Sequence, residues 1–253
     1  MQAFAVPDLP DVQAGDDLAG LIGGRADVRD GDVVLVASTV VSKSEGRTAS
    51  LEDFEPSDRA LAIADRLESI TGEPKDPRFA QAVLEESVDL LMSAPFLLAK
   101  TAGGHVGVNA GIDRSNTGGA DLLLLPADPT ASAARIREGF EEDVAVVVTD
   151  TSGRPFRIGQ RGVAIGWDGI PATRDWRGRV DRTGRELEAT VEAVVDELAA
   201  TANLLTGEAD GGTPVAVIRG VDYGAFEGGD DLFRDRDADF VRQALEEWSY
   251  AGR

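Results

Sequence analysis

The chain has 253 residues, enough to bury a substantial core, and 46 acidic against 25 basic residues give it a formal net charge of −21. It has no cysteine, which excludes disulfides, thiol catalysis and sulfur-based zinc sites. Its polyanionic surface argues against nucleic acid or an anionic membrane as a partner. The only lysines are Lys43, Lys75 and Lys100. An acidic, lysine-poor surface is typical of proteins that work in high salt, although a GC-rich genome also favours arginine over lysine.

No apolar run approaches the ~18 residues that a membrane span needs. The first eleven residues, MQAFAVPDLPD, lack the basic region followed by an apolar region that marks a secretory signal. We therefore expect a cytoplasmic protein that does not enter the membrane.

The first half of the chain alternates irregularly between apolar runs and amphipathic segments. Asp16 is expected to cap a short helix carrying Leu18, and Gly72 to close a longer one. Helices are predicted for Ser57–Thr71 and Asp76–Glu86. Strands are predicted for residues 2–7, Val33–Val41, Val88–Met92, Phe96–Lys100, His105–Val108 and Leu122–Leu125.

The second half contains the longest predicted helix. Helices are expected at Asp128–Glu142, Thr183–Thr206 and Asp237–Trp248, and a strand at Pro214–Arg219 after the loop Glu208–Thr213. Residues 221–253 form an acidic tail. The irregular alternation of helices and strands favours an α+β or mixed α/β fold over a doubly wound sheet.

The most informative stretch is Val144–Gly166, VAVVVTDTSGRPFRIGQRGVAIG. Its β-branched start predicts a buried strand, which we expect to end in a polar turn at Thr149–Pro155 before a hairpin return through Val163–Gly166. A carboxylate and hydroxyls at the end of a buried strand can hold a hard cation, and the arginines at 154, 157 and 161 can hold phosphate or form internal ion pairs. The alternative is that this segment is an ordinary turn, capped by Asp150, with no ligand-binding role.

The usual phosphate-binding motifs, G-x-x-x-x-G-K-[ST] and G-x-G-x-x-G, do not occur. The single histidine, His105, excludes multi-histidine metal sites and is expected at the surface or in a hydrogen bond. The remaining candidates for a metal site are side chains that bind through oxygen. Asp113, Asp150, Thr151 and Glu208 together suit Mg²⁺ or Mn²⁺, although each alone also fits a turn or cap. Lys43 is either a phosphate ligand or a solvated loop lysine.

Three long motifs occur together in this chain, NAGIDRSN (109–116), VVVTDTSGRPFRIGQRGVAIG (146–166) and ASTVVSKSEG (37–46). They resemble the coenzyme F420 γ-glutamyl ligase family, often called CofE. The early turn LPDV (9–12) and the segment 176–220 are also similar to the family. The resemblance covers most of residues 4–220, in the family's order and spacing, and weakens beyond about residue 222.

The resemblance implies an α+β fold of two interleaved subdomains within a single ligase unit over residues 1–253, with the acidic tail 221–253 packed on it. It also implies an intertwined homodimer. The implied reaction adds L-glutamate to the lactyl carboxylate of coenzyme F420-0, a deazaflavin with a phospholactate arm, and then a second glutamate through a γ-linkage. GTP would first convert the carboxylate to an acyl phosphate, assisted by two divalent cations.

The family's functional residues carry over onto matching positions here. Asp113 and Asp150, the implied catalytic residues, match the ligands of one metal ion, and Thr151 and Glu208 those of a second. The ions would be Mn²⁺ or Mg²⁺, with K⁺ as a further candidate cofactor. The positions that match GTP contacts or line the nucleotide site are Leu9, Pro10, Asp11, Val12, Ser38, Thr39, Lys43, Asn116, Thr206, Gly207, Glu208, Ala209, Asp210, Gly211, Gly212 and Thr213.

One residue departs from the family pattern, since Glu208 stands where glutamine is common. Three other interpretations stay open at this point. They are a ligase of the same family acting on another carboxylate, a non-catalytic nucleotide- or metal-binding module, and a hydrolase built on His105. The last lacks the G-x-S-x-G motif of a nucleophile elbow.

Overall fold

A computed structural model describes residues 1–208, 211–223 and 228–250. The fold is α+β, as predicted. Helices within this part of the chain, numbered in order, are α1 (Leu18–Gly23), α2 (Ser38–Ser44), α3 (Asp58–Thr71), α4 (Pro77–Glu85), α5 (Pro129–Glu138), α6 (Val194–Thr206) and α7 (Phe240–Glu247). The strands are β1 (Gln2–Ala5), β2 (Val33–Ala37), β3 (Thr48–Ala49), β4 (Asp89–Met92), β5 (Leu98–Lys100), β6 (Val106–Val108), β7 (Leu122–Leu123), β8 (Ala145–Arg154), β9 (Arg157–Asp168), β10 (Arg174–Asp175), β11 (Val191–Glu192) and β12 (Val215–Arg219).

The chain divides into two compact units, each built from two separate segments. Unit 1 comprises Met1–Ser44 and Asp128–Leu232, and unit 2 comprises Glu45–Ala127 and Phe233–Arg253. The start of the acidic tail thus belongs to unit 1, and the rest of it to unit 2.

Unit 1 is built on a five-stranded mixed sheet with the order β1-β12-β2-β8-β9. β2 and β8 are parallel, and the other neighbours are antiparallel. The apolar runs of β2, β8 and β12 are buried along almost their whole length, which requires cover on both faces of the sheet. Helices α5 and α6 pack against β8 and β9 and supply much of this cover.

Two glycines of β9 allow these helices to approach closely. A Cβ at Gly162 would lie 2.3 Å from the Ala199 carbonyl oxygen of α6, and one at Gly166 would lie 2.3 Å from the Pro129 carbonyl carbon of α5. Both obstacles are backbone atoms that no side-chain rotation can move. These positions therefore require glycine for helix packing.

An ion pair closes one end of this sheet. Asp32, just before β2, is completely buried, and Arg219 at the end of β12 donates to both of its oxygens at 2.8 and 2.7 Å. The Asp32 carboxylate also accepts the Arg29 backbone N–H at 3.0 Å. A buried carboxylate needs such partners, so this end of the sheet is structural.

Unit 2 has a core of its own. Helices α3 and α4 pack together beside the antiparallel sheet β4-β5-β6 and the small β3-β7 ladder. Gly72 ends α3 in a left-handed conformation (φ 73°), as predicted, whereas Ser57, predicted as the first helical residue, is its cap. Buried Leu67, Val83 and Leu97 belong to one hydrophobic cluster of this unit.

Several helices and strands differ from those predicted from the sequence. The strand expected at Val33–Val41 stops at Ala37, and Ser38–Ser44 form helix α2. The strand expected to end at Val148 continues through the polar residues to Arg154, because β9 pairs with it throughout. The cap of α1 is Asp17 rather than Asp16, because the Asp16 side chain accepts the Gln13 N–H instead.

The helix predicted for Thr183–Thr206 begins only at Val194, so α3 is the longest helix among the described residues. Residues 181–193 instead contain the Asp181–Gly184 turn and strand β11. Helix α5 ends four residues earlier than predicted, at Glu138, where Gly139 caps it. The last helix is shorter than predicted, and a 3₁₀ turn at Arg236–Ala238 precedes it. In the described residues, no helix has the length and apolar character needed to cross a membrane.

Candidate active site

The predicted site residues of unit 1 converge on the edge of the five-stranded sheet away from the Asp32–Arg219 ion pair. Strands β2 and β8 run in parallel and share their last pair at Ala37 and Thr149. On the other side of β2, the Ala37 N–H donates to the Pro214 carbonyl at 2.9 Å, where β12 begins. The Val6 N–H donates to the Val215 carbonyl at 2.8 Å, so β1 also leaves the sheet here. Carboxyl ends of strands in open sheets are common ligand sites.

Ser38 and Asp150 meet at this edge. Ser38 is buried at the start of α2, immediately after β2, and its hydroxyl donates to Asp150 Oδ1 at 3.4 Å. Thr39 and Lys43 follow in the same helix, with the half-buried Lys43 in its last turn. The predicted nucleotide contacts of this segment therefore lie in a helix, whereas the sequence indicated a strand followed by a loop.

Asp150 and Thr151 lie inside β8 rather than in a turn after it. The pairing of β8 with β9 shifts register between Val148 and Thr149, at the point where pairing with β2 stops. From there the two strands continue as a two-stranded ribbon. Since successive side chains of a strand point to opposite faces, the Asp150 and Thr151 side chains leave the ribbon in opposite directions.

The predicted loop 206–213 connects the end of α6 to the start of β12 at this edge. The Thr213 hydroxyl donates to the Thr206 carbonyl at 3.3 Å and closes the loop. Gly207 and Gly212 have positive φ values of 71° and 61°, which suit glycine. Ala209 and Asp210 lie outside the described residues.

Glu208 is exposed, and its carboxylate accepts a hydrogen bond from the Asn203 side-chain amide. Asn203 lies in the last turn of α6 and was not among the predicted site residues. It could have been predicted from its position near the end of the helix, five residues before Glu208, because asparagine side chains often form hydrogen bonds in nearby turns.

The segment Leu9–Val12 also starts from this edge, directly after β1. Val12 is buried and anchors it, whereas Pro10 and Asp11 are exposed. Further along, the Gly15 N–H donates to the Ser44 carbonyl at 2.8 Å, which ties the segment to the end of α2. The chain just after the predicted segment 9–12 thus contacts the end of the helix that carries Ser38, Thr39 and Lys43.

The arginines after Asp150 have different environments. Arg161 pairs with Asp196 of α6 at 3.4 Å, so the internal ion pair considered from the sequence is present for this residue. Arg154 and Arg157 flank the ribbon tip, at Pro155 and Phe156. Phe156 and Ile158 are fully exposed, and Phe156 has φ 64°, an unusual conformation for a bulky residue.

Asp113 and Asn116 belong to unit 2. The Asp113 backbone forms a two-way bridge with Leu123, with both N–O distances 2.9 Å. Its carboxylate accepts the Ser115 N–H at 2.7 Å and the Ser115 hydroxyl at 2.8 Å. These contacts fix the carboxylate on a short, well-defined turn.

The backbone just before Asp113 is strained. Asn109, Ala110 and Gly111 have consecutive positive φ values of 55°, 54° and 72°, and Asn116 follows with 50°. Left-handed non-glycine residues cost on the order of 1 kcal/mol each and cluster at functional sites. A Cβ at Gly111 would lie 2.4 Å from Leu125 Cδ1, so the Leu125 side chain would have to shift to accommodate another residue there.

His105 is buried with 6% of its surface exposed, so of the two expected environments, the surface or a hydrogen bond, the surface does not apply. Burial lowers the pKa of His105 from 6.5 to about 4. The imidazole is therefore neutral at physiological pH and forms part of the structure of unit 2.

The predicted metal ligands supply the donor types that Mg²⁺ and Mn²⁺ prefer, namely carboxylate and hydroxyl oxygens. In the part of the chain that the structure describes, no three His, Asp or Glu side chains cluster as a metal site. A cation at the sheet edge would therefore also need hydroxyl, main-chain, water or phosphate oxygens. Mg²⁺ bound together with nucleotide phosphates has this kind of coordination, so the residues fit such a cation.

Residues 8–220 match the family model described as F420-0:Gamma-glutamyl ligase. The chain belongs to this family. It is 67% identical to the coenzyme F420:L-glutamate ligase of Halobacterium salinarum over 252 residues, covering 100% of both chains. The protein of the same name from Halorubrum lacusprofundi is 63% identical, with 99% of both chains covered. The corresponding Archaeoglobus fulgidus protein is 48% identical, with 97% of this chain and 98% of that protein covered.

Family membership makes the chain a ligase of coenzyme F420 biosynthesis and confirms the resemblance seen in its motifs. The similarity to the haloarchaeal relatives also extends through the acidic tail, further than the motifs indicated.

Proposed function

We propose that the protein uses GTP to join L-glutamate to the lactyl carboxylate of coenzyme F420-0, and then adds a second glutamate through a γ-linkage. The observation that carries the proposal is the convergence of segments 9–12, 38–43, 150–151 and 206–213 on one sheet edge within a chain of this family. The names of the relatives support the two substrates, coenzyme F420 and L-glutamate.

The chemistry explains the need for GTP. A carboxylate is a poor electrophile, so one of its oxygens first attacks the γ-phosphorus of GTP, and GDP leaves with the bridging oxygen. The glutamate amine then attacks the acyl carbon of the resulting acyl phosphate. The C–N bond forms, the acyl C–O bond breaks, phosphate leaves, and the amine proton passes to phosphate or water.

The residues of the sheet edge would position these groups rather than react covalently, because phosphoryl transfer depends mainly on orientation and charge neutralisation. In this proposal Ser38 and Lys43 contact phosphate oxygens, and the 9–12 and 206–213 segments enclose the nucleotide. Two divalent cations, when bound, would neutralise charge on the transferred phosphoryl group. Asp150, Thr151 and Glu208 in unit 1 and Asp113 in unit 2 are the proposed ligands, and K⁺ is a further proposed cofactor.

A homodimer is also part of the proposal, and the β8–β9 ribbon supports it. The ribbon extends beyond the sheet and ends in fully exposed Phe156 and Ile158. Burying apolar side chains of this size against a second copy stabilises association by about 1.5–3 kcal/mol each. A left-handed phenylalanine at an exposed tip is otherwise unfavourable, since glycine suits such turns better.

A mass-spectrometric ligation assay in molar KCl tests this function. Coenzyme F420-0, L-glutamate, GTP and Mn²⁺ are supplied together, with GTP or metal left out of parallel reactions. The proposal requires mass gains of one and then two glutamyl units in the complete mixture only. GTP binding without mass gain would indicate another carboxylate substrate or a non-catalytic module, and ligation without GTP would contradict the mechanism.

A further inference from the structure

A cavity in unit 2 is lined by none of the residues assigned above. Its volume is about 640 Å³, and its walls come from α3, β4 and the C-terminal segment from Arg236 to Tyr250. Small-molecule sites commonly have volumes of about 300–1,000 Å³, so the cavity has room for a ligand of cofactor size.

One part of the cavity wall is apolar and aromatic. Leu90 and Met92 of β4 face it, together with Trp248 and Tyr250. The two aromatic rings lie edge to face, with centroids 6.0 Å apart. Tyr250 also packs against the core of unit 2, which fixes this wall in position. Such a wall favours a planar ring system.

The charged part of the wall carries an excess of arginine. Both acidic groups that line the cavity are already paired, Glu246 with Arg236 at 2.8 Å and Asp89 with Arg242. Arg59 and Arg66 also line it, and among the described residues neither forms an ion pair with a carboxylate. The Arg66 side chain donates a hydrogen bond to the Tyr250 carbonyl at 3.3 Å.

The position of these two arginines is suited to an extended anion. They are seven residues apart on α3 and therefore lie on one face of the helix, about 10 Å apart along its axis. Arginine binds phosphate and carboxylate groups through paired N–H donors. Two such side chains beside a cavity stand out in a chain with a net charge of −21.

We propose that this cavity binds an aromatic organic anion, with its ring system against Trp248 and Tyr250 and its phosphate or carboxylate at Arg59 and Arg66. Two compounds of the proposed reaction have this chemistry, GTP and the deazaflavin coenzyme F420-0, whereas L-glutamate lacks the ring. The choice of these probes rests on the proposed function, and the ligand class rests on the cavity alone.

Trp248 provides a local reporter of binding. The chain has three tryptophans, and replacing Trp167 and Trp176 by phenylalanine leaves Trp248 as the only one. This variant would be titrated in molar KCl, without divalent metal, with coenzyme F420-0, GTP or L-glutamate, using free N-acetyltryptophanamide to correct for ligand absorbance. We expect saturable quenching by at least one of the two aromatic anions and none by glutamate, and the responding compound identifies the ligand.

Arginine variants test the charged end of the site. Arg59→Gln and Arg66→Gln should each raise the Kd by about tenfold, the loss expected for one charge-assisted hydrogen bond. Arg78→Gln is the matched control, because Arg78 is a half-buried arginine of unit 2 whose side chain pairs with Asp76 outside the cavity. It should leave the Kd unchanged. Equilibrium dialysis of the chain with all three tryptophans repeats the comparison if the tryptophan replacements impair folding.

The outcomes separate this proposal from the proposed function. No saturable Trp248 response to either aromatic anion, or a Kd that the Arg59 and Arg66 replacements leave unchanged, would overturn the cavity proposal even if the ligation assay succeeds. A Trp248 response that depends on the two arginines would support it even if ligation fails.

Discussion

The Asp150 carboxylate lies beyond the last residue that β8 pairs with β2, where Ser38 donates to it. Asp150→Asn keeps the shape of the side chain but removes the negative charge that a cation requires. We expect turnover to fall by at least about 100-fold and the apparent Kd for Mn²⁺ to rise, measured by the ligation assay and by metal titration.

Asp143→Asn is the matched control for that change. Asp143 is an exposed carboxylate just before the other end of β8, where it pairs with Arg137 at 2.9 Å. Its replacement should leave turnover near that of the unmodified protein. Equal activity of the Asp150 and Asp143 variants would remove Asp150 from the proposed metal site.

The buried His105 makes the folding stability of unit 2 depend on pH. Its folded-state pKa of about 4 lies below the unfolded value of 6.5, so the unfolded chain binds the extra proton first. The stabilising effect is complete above about pH 6.5 and is lost as the pH falls towards 4. The loss amounts to about 3 kcal/mol, at roughly 1.4 kcal/mol per pKa unit.

Denaturant unfolding at several pH values between 7 and 4.5, with His105→Gln for comparison, measures this effect. Glutamine has no proton to gain in this range, so the free energy of unfolding of the variant should fall less with decreasing pH. Parallel curves for the two proteins would show that the imidazole already accepts a proton in the folded state.

At the level of elements, β9 depends on its glycines. Gly166→Ala would place a methyl group 2.3–2.6 Å from backbone atoms of Pro129 and Thr130 at the start of α5. We expect a loss of about 2 kcal/mol and a fall in Tm of about 4–8 °C. The same change at Gly153, where a Cβ meets nothing within 4 Å, should leave Tm nearly unchanged. Similar melting of both variants would contradict the close packing of α5 on β9.

The ribbon tip gives a prediction about assembly. Phe156→Gly combined with Ile158→Ser removes both exposed apolar side chains and relieves the left-handed phenylalanine. We expect the mass determined by light scattering to change from dimer to monomer. Phe240→Ser, which alters an exposed phenylalanine of α7, serves as the control and should not change the mass. A dimer that survives loss of both tip side chains would place the interface elsewhere.

Elements with local signals were predictable from the sequence. Helix α3 was found to within one residue, because Ser57 caps it and Gly72 ends it. Helix α2 was missed because Val40 and Val41 favour strands locally, whereas the surrounding structure selects a helix. The second half of β8 was missed because its polar residues indicate a turn, and only pairing with β9 keeps them extended.

The arrangement of the candidate site could not be predicted from the sequence. Asp150 was proposed from its position after a buried strand, and Ser38 and Thr213 through the resemblance alone; the roles of all three remain predictions. Their meeting at one edge depends on β12, which inserts between β1 and β2. That pairing joins positions nearly two hundred residues apart, and neither periodicity nor composition encodes it.

For the whole molecule, the net charge of −21 predicts a strong dependence on salt. The screening length falls from about 10 Å at 0.1 M to about 3 Å at 1 M, so molar salt suppresses repulsion between surface carboxylates. We expect Tm to fall by more than about 5 °C between 2 M and 0.1 M KCl. NaCl at equal ionic strength should restore it and a neutral osmolyte should not. An unchanged Tm would remove the argument for a protein adapted to high salt.

The position of β12 also constrains the order in which the chain can fold during synthesis. β1 and β2 leave the ribosome early, but they cannot take their final places until residues 215–219 emerge and separate them. Residues 45–127 form most of unit 2 in one uninterrupted segment and are complete well before that point. The 45–127 segment can therefore begin to fold first, although unit 2 is complete only after its C-terminal segment emerges. Meanwhile β1 and β2 remain exposed to chaperones or to misplaced pairing until translation is almost finished.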